Sequence, residues 1–298
     1  MWTDLLDPTE DELRAHLPTE LHSSALEQLL APAQHDDEPR PKLEGHGSYV
    51  FGVFLVAVAV KDEDAIFYQE VDVVMTQDFI LTVRKTPPGR PPFDATSARA
   101  SCKHDERPGM IAYRLLDDMA ECYLDLVDDL NEEIDELEDN VEVWDAERIR
   151  GRLSEFRHDL LHIRRTLAPM RDAVRAVIDD RVELDDGELF PREIELSFGA
   201  AYDKLLRAVD GLELSRDLVA GVRDYHQAKI ANDQNDVMKR LTAIASILLL
   251  PTFIVGLYGQ NFHHIPELGW GVGYWWSWGW IVATTIAQLA FFRWKRWI

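Results

Sequence analysis

The chain has 298 residues, and its 54 Asp and Glu against 31 Lys and Arg give a formal net charge of −23 at pH 7. So acidic a balance argues against a protein that binds nucleic-acid phosphates, because basic patches carry that affinity. The charge is uneven, since the segment from Lys239 onward has five basic residues and one acidic residue. This distribution excludes a uniform soluble domain.

The sequence contains none of the usual catalytic motifs. It has no Gly-rich phosphate loop, no nucleophile elbow and no zinc-type Cys/His cluster, so neither an enzymatic activity nor a nucleotide site is predicted. The segment from Met1 to His16 is acidic and lacks the apolar run of a secretory signal peptide. Cys102 and Cys122 are too few for a disulfide framework and are predicted to be reduced thiols.

Residues 1–108 predict a cytosolic mixed α/β domain. The acidic, proline-containing stretch 1–45 is typical of short helices and loops. The run 49–60 is apolar and rich in β-branched and aromatic residues, which predicts a buried strand. Further strands are predicted at 65–70, 71–76 and 79–84, with a turn at Gln77-Asp78 between the last two.

Residues 109–195 predict long acidic cytosolic helices. Apolar residues at helical spacing indicate one helix from about Gly109 to Val141 and a second from about Ala146 to Asp180. The acidic run Asn131–Asp145 has two interpretations. It is either a solvated helix face or an electrostatic funnel that concentrates cations.

A stalk helix is predicted over 196–240, running without a stop signal into the first membrane segment. A helix that long is expected to bundle with copies of itself. The uncharged runs on either side of Glu267 are 26 and 25 residues long, and roughly 20 helical residues span the bilayer. Transmembrane helices are therefore predicted at 241–258 and 274–292, with an extracytoplasmic loop at 259–273 and a basic tail at 293–298.

The flanking residues predict how the two spans sit in the membrane. Aromatic residues crowd both ends of the second span, as in the aromatic belts at membrane interfaces. Basic residues precede the first span and follow the second, so the positive-inside rule places both termini in the cytosol. The chain is expected to be a multi-pass protein of the inner or plasma membrane, in contact with the lipid bilayer.

One face of the first span carries a mixed stripe, here called the pore stripe. On a pore-lining helix, small residues leave room, Asn and Thr oxygens hold a hydrated ion, and rings of Met or Leu gate by dewetting. The alternative is a small-residue face for helix packing, and the spacing leaves both open. The pore stripe consists of Asn235, Met238, Leu241, Ala245, Leu249, Thr252 and Gly256.

The end of the first span reads Tyr258-Gly259-Gln260-Asn261-Phe262, followed by His263-His264-Ile265-Pro266-Glu267-Leu268. This stretch resembles the CorA-type magnesium transporters, whose motif is Tyr-Gly-Met-Asn-Phe with a downstream Met-Pro-Glu-Leu. The segments 235–242 and 161–172 also resemble the family, and so does the order of α/β domain, acidic helices, stalk and C-terminal hairpin.

The resemblance implies an α+β membrane protein that forms a homopentameric funnel. Five copies of the first span would surround a central pore, with Gly259, Gln260 and Asn261 as the cation-binding selectivity filter at its outer mouth. Mg²⁺ sheds water reluctantly, so a ring of neutral amide oxygens could select it through its hydration shell. The implied function is transport of Mg²⁺, or of Co²⁺ or Ni²⁺, down the electrochemical gradient.

Departures from the motif keep alternatives open. Gln260 stands where the family has Met, and ZntB-like zinc transporters also vary there, so a Zn²⁺ transporter, with or without proton coupling, is the first alternative. His263, His264 and Glu267 are candidates for cation capture in the outer loop, since imidazoles suit Zn²⁺, Co²⁺ and Ni²⁺. The resemblance also implies a regulatory Mg²⁺ site between subunits, and Asp203 is the acidic residue nearest to the position of its carboxylate in this sequence. The second alternative is a membrane-tethered scaffold or metal sensor without transport.

Overall fold

The computed structural model describes residues 1–17, 20–33, 38–60, 65–103, 105–261 and 265–298. The chain forms two compact units, Met1–Val222 and Arg223–Ile298.

A five-stranded sheet lies in the first unit. Its strand order is β1-β5-β4-β3-β2, and all neighbours are antiparallel except the parallel pair β1 and β5. The two central strands pair in register along their whole length. The strands are β1 Trp2–Leu6, β2 Lys42–Gly45, β3 Val50–Val60, β4 Ala65–Met75 and β5 Ile80–Lys85.

Two details of the predicted strands were wrong. The segments 65–70 and 71–76 form the single strand β4, because the ladder with β3 continues through Glu70 and Asp72 without interruption. The first 45 residues contain the edge strands β1 and β2 in addition to short helices. The strand at 49–60 and the turn at Gln77-Asp78 are confirmed.

The helices of the first unit agree closely with the sequence pattern. The two long helices end within one or two residues of their predicted limits. A capping box between Thr9 and Glu12 starts the first short helix, and the Asp145 carboxylate accepts backbone N–H bonds at the start of the fifth. The helices are α1 Glu10–His16, α2 Ser23–Leu30, α3 Thr96–Ser101, α4 Pro108–Asn140 and α5 Ala146–Ile178.

The sheet separates two hydrophobic cores. On one face, Leu13 of α1 and Leu29 of α2 pack against Phe51, Leu81 and Val83. The other face packs against α4 and α5 and continues into the large core of the helices. In that core the Tyr123 hydroxyl lies 3.0 Å from both the Leu55 carbonyl oxygen and the Thr166 hydroxyl, which ties β3, α4 and α5 together.

The sixth helix, α6, is a single helix of 67 residues, Arg192–Tyr258. One helix thus covers both predicted segments, 196–240 and 241–258, and it begins at Arg192, directly after Pro191. Its most apolar window has a mean hydropathy of 2.1 and is almost entirely exposed in the single chain. Among the described residues it is the one helix that is long and apolar enough to cross a membrane.

The second unit consists of the end of α6, a 3₁₀ turn at Pro266–Gly269 and the helix α7, Gly273–Trp294. The predicted second span is therefore helical and begins one residue before its predicted limit. Mean hydropathy does not identify α7 as a membrane-crossing helix. The first half of α7 is rich in Trp, Tyr and Gly, which score low on the hydropathy scale. Its place in the membrane stays a prediction.

Candidate functional site

In the second unit, α7 covers one face of α6. Ala243 is fully buried there, and Ser246, Leu250 and Ile254 are half-buried. The contact includes a hydrogen bond in which the Gln288 amide donates to the Ser246 carbonyl oxygen at 3.1 Å. These residues follow one another at three- and four-residue spacing, so they define a packing face along α6.

The pore stripe lies on a different face of α6. Its members lie one or two residues from members of the packing face, which are rotations of about 100° or about 160° around the helix. Leu249 is 72% exposed and Met238 and Leu241 are 59% exposed. The structure thus brings all seven predicted residues onto one exposed face, where Asn235, Ala245, Thr252 and Gly256 are also exposed.

At the end of α6 the chain turns tightly through Gly259. The Gly259 N–H donates to the Val255 carbonyl oxygen at 2.9 Å, and the Gln260 N–H points to the Leu257 carbonyl oxygen at 3.4 Å. A Cβ at Gly259 would lie 3.1 Å from the Val255 oxygen, which explains why glycine suits the position. Gln260 and Asn261 are exposed, and neither amide bonds to another described residue, so both are available to a ligand.

Of the three predicted outer-loop ligands, the structure describes Glu267. Glu267 lies in the 3₁₀ turn and is half-buried, and its carbonyl oxygen accepts from the Trp270 N–H at 3.2 Å. His263 and His264 lie outside the described residues, as does Phe262. The structure therefore describes one of the three residues that were predicted to capture cations in the outer loop.

Asp203, the candidate regulatory ligand, is exposed on α6 in the first unit. The next residue, Lys204, forms ion pairs with Asp117 at 3.0 Å and Glu121 at 2.8 Å, both on α4. Within the described ranges, no group of three or more His, Cys, Asp or Glu side chains is arranged to hold a metal ion. Among the described residues, Asp203 thus belongs to no such group.

The acidic run on α4 lines a cleft of about 590 Å³ in the first unit. Part of its charge is compensated there, because the Arg152 guanidinium lies 2.8 Å from the Glu133 carboxylate. Arg148 lies 3.7 Å above the ring of Trp144, a cation–π contact. The run also includes Asp145, whose pKa is lowered by its hydrogen bonds to the Arg148 and Glu147 backbone N–H groups. The cleft is lined by Asp129, Glu132, Glu133, Glu136, Leu137, Trp144, Arg148 and Arg152.

At the N-terminal end of the pore stripe, charged residues directly precede the apolar segment 241–258. The Lys239 ammonium lies 2.9 Å from the Asp236 carboxylate, and this hydrogen bond and charge lower the pKa of Asp236. Arg240 follows, and no further charge occurs before Glu267. This is the flanking pattern expected at the cytosolic end of a membrane helix.

Gln288 was not among the predicted site residues. A signal for it does exist in the sequence, since it is the one amide side chain in the uncharged run 268–292. A strongly polar side chain in such a run is costly to bury in lipid and therefore points to a specific contact. The identity of that contact, the Ser246 carbonyl, could come only from the structure.

Comparison with known proteins matches the family described as "CorA-like Mg2+ transporter protein" over residues 1–296. The cobalt/magnesium transport protein CorA of Thermotoga maritima is 28% identical over 282 residues, which cover 93% of this chain and 77% of that protein. The zinc transport protein ZntB of Yersinia enterocolitica is 26% identical over 152 residues, covering 51% of this chain and 45% of that protein.

The fold also resembles a solved structure along its whole length. The CorA magnesium transporter from Methanocaldococcus jannaschii superposes with a TM-score of 0.77 at 20% sequence identity, covering 100% of this chain and 91% of that chain. The likeness includes the N-terminal α/β unit and the long sixth helix. With a family match from residue 1 to residue 296, the chain belongs to the family of CorA-like Mg²⁺ transporter proteins.

Proposed function

We propose that this chain is a channel-like transporter of divalent cations, with Mg²⁺ as its main substrate and Co²⁺ or Ni²⁺ as further substrates. The observation that carries the proposal is the position of the pore stripe. Its residues share a face of α6 that α7 leaves exposed, directly before the Gly-Gln-Asn turn. A second copy of α6 can therefore approach this face without displacing α7.

In the proposed assembly, five chains surround a central pore with their α6 helices, and α7 forms the outer ring. Both termini are cytosolic, and α7 is the second span despite its low mean hydropathy. Trp and Tyr favour the membrane interface, and they concentrate in the first half of α7. The exposed Trp275, Trp278 and Trp280 would then contact the outer headgroup region.

The turn at Gly259–Asn261 forms the outer mouth of the proposed pore. Gln260 and Asn261 present amide oxygens that accept hydrogen bonds from the water shell of Mg²⁺, which is held too tightly to be stripped easily. Below them, Thr252 contributes a hydroxyl and Leu249 an apolar ring that gates by dewetting. Glu267 adds negative charge near the mouth.

Transport needs no nucleotide in this proposal. A membrane potential that is negative inside supplies about 4.6 kcal/mol per 100 mV to a doubly charged ion, twice the value for a single charge. The acidic α4 surface would attract cations on the cytosolic side. Asp203 is the proposed carboxylate of a regulatory site, whose other ligands would come from a neighbouring subunit.

The decisive experiment measures cation uptake into liposomes that contain the purified chain and a trapped fluorescent indicator. Asn261→Ala should abolish most of the Mg²⁺ flux, because it removes a ring of amide oxygens from the mouth. Asn232→Ala is the matched control, since it makes the same chemical change at an exposed position of α6 outside the pore stripe. Equal flux through both variants would contradict the proposed filter.

The same liposomes separate the two alternatives. A Zn²⁺ carrier would accumulate Zn²⁺ in preference to Mg²⁺ and would need an imposed proton gradient. The regional similarity to the zinc transport protein ZntB makes this the first alternative to test. A membrane-tethered scaffold or metal sensor would carry no cation under any gradient.

A further inference from the structure

The amide of Gln288 connects the two helices of the second unit. Its Nε2 donates to the Ser246 carbonyl oxygen of α6, and its Oε1 is buried without a hydrogen-bond partner among the described residues. The hydroxyl groups of Ser277, Thr284 and Thr285 instead donate to carbonyl oxygens of α7 itself. Among the described Ser, Thr and Gln side chains of α7, Gln288 is thus the one that reaches α6.

The carbonyl that Gln288 contacts lies in the turn of α6 that precedes Pro251. Pro251 has no N–H, so the Ile247 carbonyl oxygen lacks its helical donor, and the proline ring crowds that oxygen. The next carbonyl oxygen, that of Leu248, accepts the Thr252 hydroxyl at 2.7 Å, a bond that bends helices. Each of the three carbonyl oxygens of residues 246–248 therefore differs from a regular helical carbonyl, which accepts only the N–H four residues later. We expect α6 to bend most easily at this turn.

Two members of the pore stripe, Leu249 and Thr252, belong to this turn. A change in the bend would shift both side chains relative to the rest of the stripe. The segments 241–257 and 275–292 contain no acidic, basic or histidine side chain, so no ion pair holds them together. In hydrocarbon, an amide hydrogen bond between helices is therefore a strong directional contact.

We infer that Gln288 is a positioning residue, which holds α7 to α6 at the turn weakened by Pro251. It thereby fixes the bend of α6 that places Leu249 and Thr252. This inference rests on the transport function proposed above. Gln288 lies on α7, away from the pore stripe, and does not contact the cation. Its effect on flux passes through the Ser246 carbonyl and the backbone of α6.

Liposome flux measurements on three variants test this role. Gln288→Leu keeps the size of the side chain and removes the donor, so the maximal Mg²⁺ flux should fall about fivefold, as the loss of an interhelical hydrogen bond would predict. The half-saturating concentration should stay unchanged because the mouth is intact. Thr284→Val is the matched control, since this hydroxyl bonds only within α7 and the variant should behave as wild type.

Gln288→Glu adds a pH-dependent readout. The introduced carboxyl can donate to the Ser246 oxygen when it is protonated and cannot when it is ionised. Flux of this variant relative to wild type should therefore fall from about pH 5 to about pH 8, while the ratio for Gln288→Leu stays flat. A merely structural loss of packing would give no such profile.

The outcomes are distinguishable. Size-exclusion chromatography and thermal unfolding in detergent check that each variant assembles as wild type does. Wild-type flux through an assembled Gln288→Leu protein, or a flat pH profile for Gln288→Glu, would overturn the positioning role and leave the proposed transport function standing. A wild-type protein that carries no cation would overturn the transport function and the positioning role with it.

Discussion

The ammonium of Lys85 lies 2.5 Å from the carboxylate of Glu70, the residue directly opposite it on the neighbouring strand. Lys85 also lies 2.8 Å from the Asp72 carboxylate and donates to the Gln28 carbonyl oxygen of α2 at 2.6 Å. All three charged side chains are almost fully buried beneath α2. One buried cation thus compensates two carboxyl groups on the same face of β4.

Removing this cation should strongly destabilise the first unit. Lys85→Met retains the length of the side chain but leaves Glu70 and Asp72 buried without a positive partner, a change that typically costs about 3 to 5 kcal/mol. Urea unfolding of the full chain in detergent, followed by far-UV circular dichroism, measures the loss. Lys42→Met is the control, because Lys42 pairs with Glu44 at a half-exposed position, where the loss should stay below about 1 kcal/mol.

The buried side chains of Glu70, Asp72 and Lys85 should also make the free energy of unfolding depend on pH, because Asp72 can take up a proton. Burial raises the pKa of this carboxyl well above its ordinary value of 3.8, although the charge of Lys85 opposes the shift. Folding therefore favours the protonated form of Asp72. The stabilisation of the folded state that results is complete below pH 3.8, and it is lost as the pH rises through the folded-state pKa of Asp72.

Asp72→Asn carries a neutral side chain at every pH. The free energy of unfolding of this variant relative to wild type should therefore increase as the pH rises from about 4 through the folded-state pKa of Asp72. Denaturant unfolding curves at a series of pH values provide the test. A pH-independent difference between the two proteins would show that Asp72 titrates alike in the folded and unfolded chain.

Gly211 of α6 packs against Val127 of α4. A Cβ at this position would lie 2.7 Å from a Val127 methyl carbon, so Gly211→Leu should push the helices apart and destabilise the first unit by about 1 to 3 kcal/mol. Gly199 lies on the same helix with open space around its Cα, and Gly199→Ala should gain up to about 1 kcal/mol from helix propensity. Thermal unfolding that moves in the same direction for both variants would contradict this packing.

The long helices could be predicted because their apolar spacing is regular over many turns. The edge strands could not, since β1 and β2 are short and depend on distant partners. Asp4 of β1, for example, pairs with Arg84 of β5 at 2.9 Å. The false break in β4 has the same origin. Glu70 and Asp72 interrupt an apolar run in the sequence, and only the pairing with Lys85 shows why a buried strand can carry them.

The candidate site was likewise predictable from the sequence only in part. Periodicity alone placed the pore stripe on one face of α6, and the structure leaves that face exposed. Spacing could not decide between a pore face and a packing face, because both use small residues. The half-buried face around Ser246 and Ile254 identifies where α7 packs, and that contact depends on the tertiary arrangement of two helices.

We propose that Gln260, at the position where the resemblance to CorA-type transporters implies Met, strengthens cation capture at the mouth. Its amide oxygen can accept a hydrogen bond from the hydration shell of the ion, whereas a thioether accepts such bonds weakly. Gln260→Met should therefore raise the half-saturating Mg²⁺ concentration by about two- to tenfold, the range expected for one lost hydrogen bond, and leave the maximal flux nearly unchanged. Gln227→Met makes the same substitution at an exposed position of α6 and should match wild type. Unchanged half-saturation in Gln260→Met would mean that the Gln260 amide does not contact the hydrated ion, and ion selection would then depend on Gly259 and Asn261.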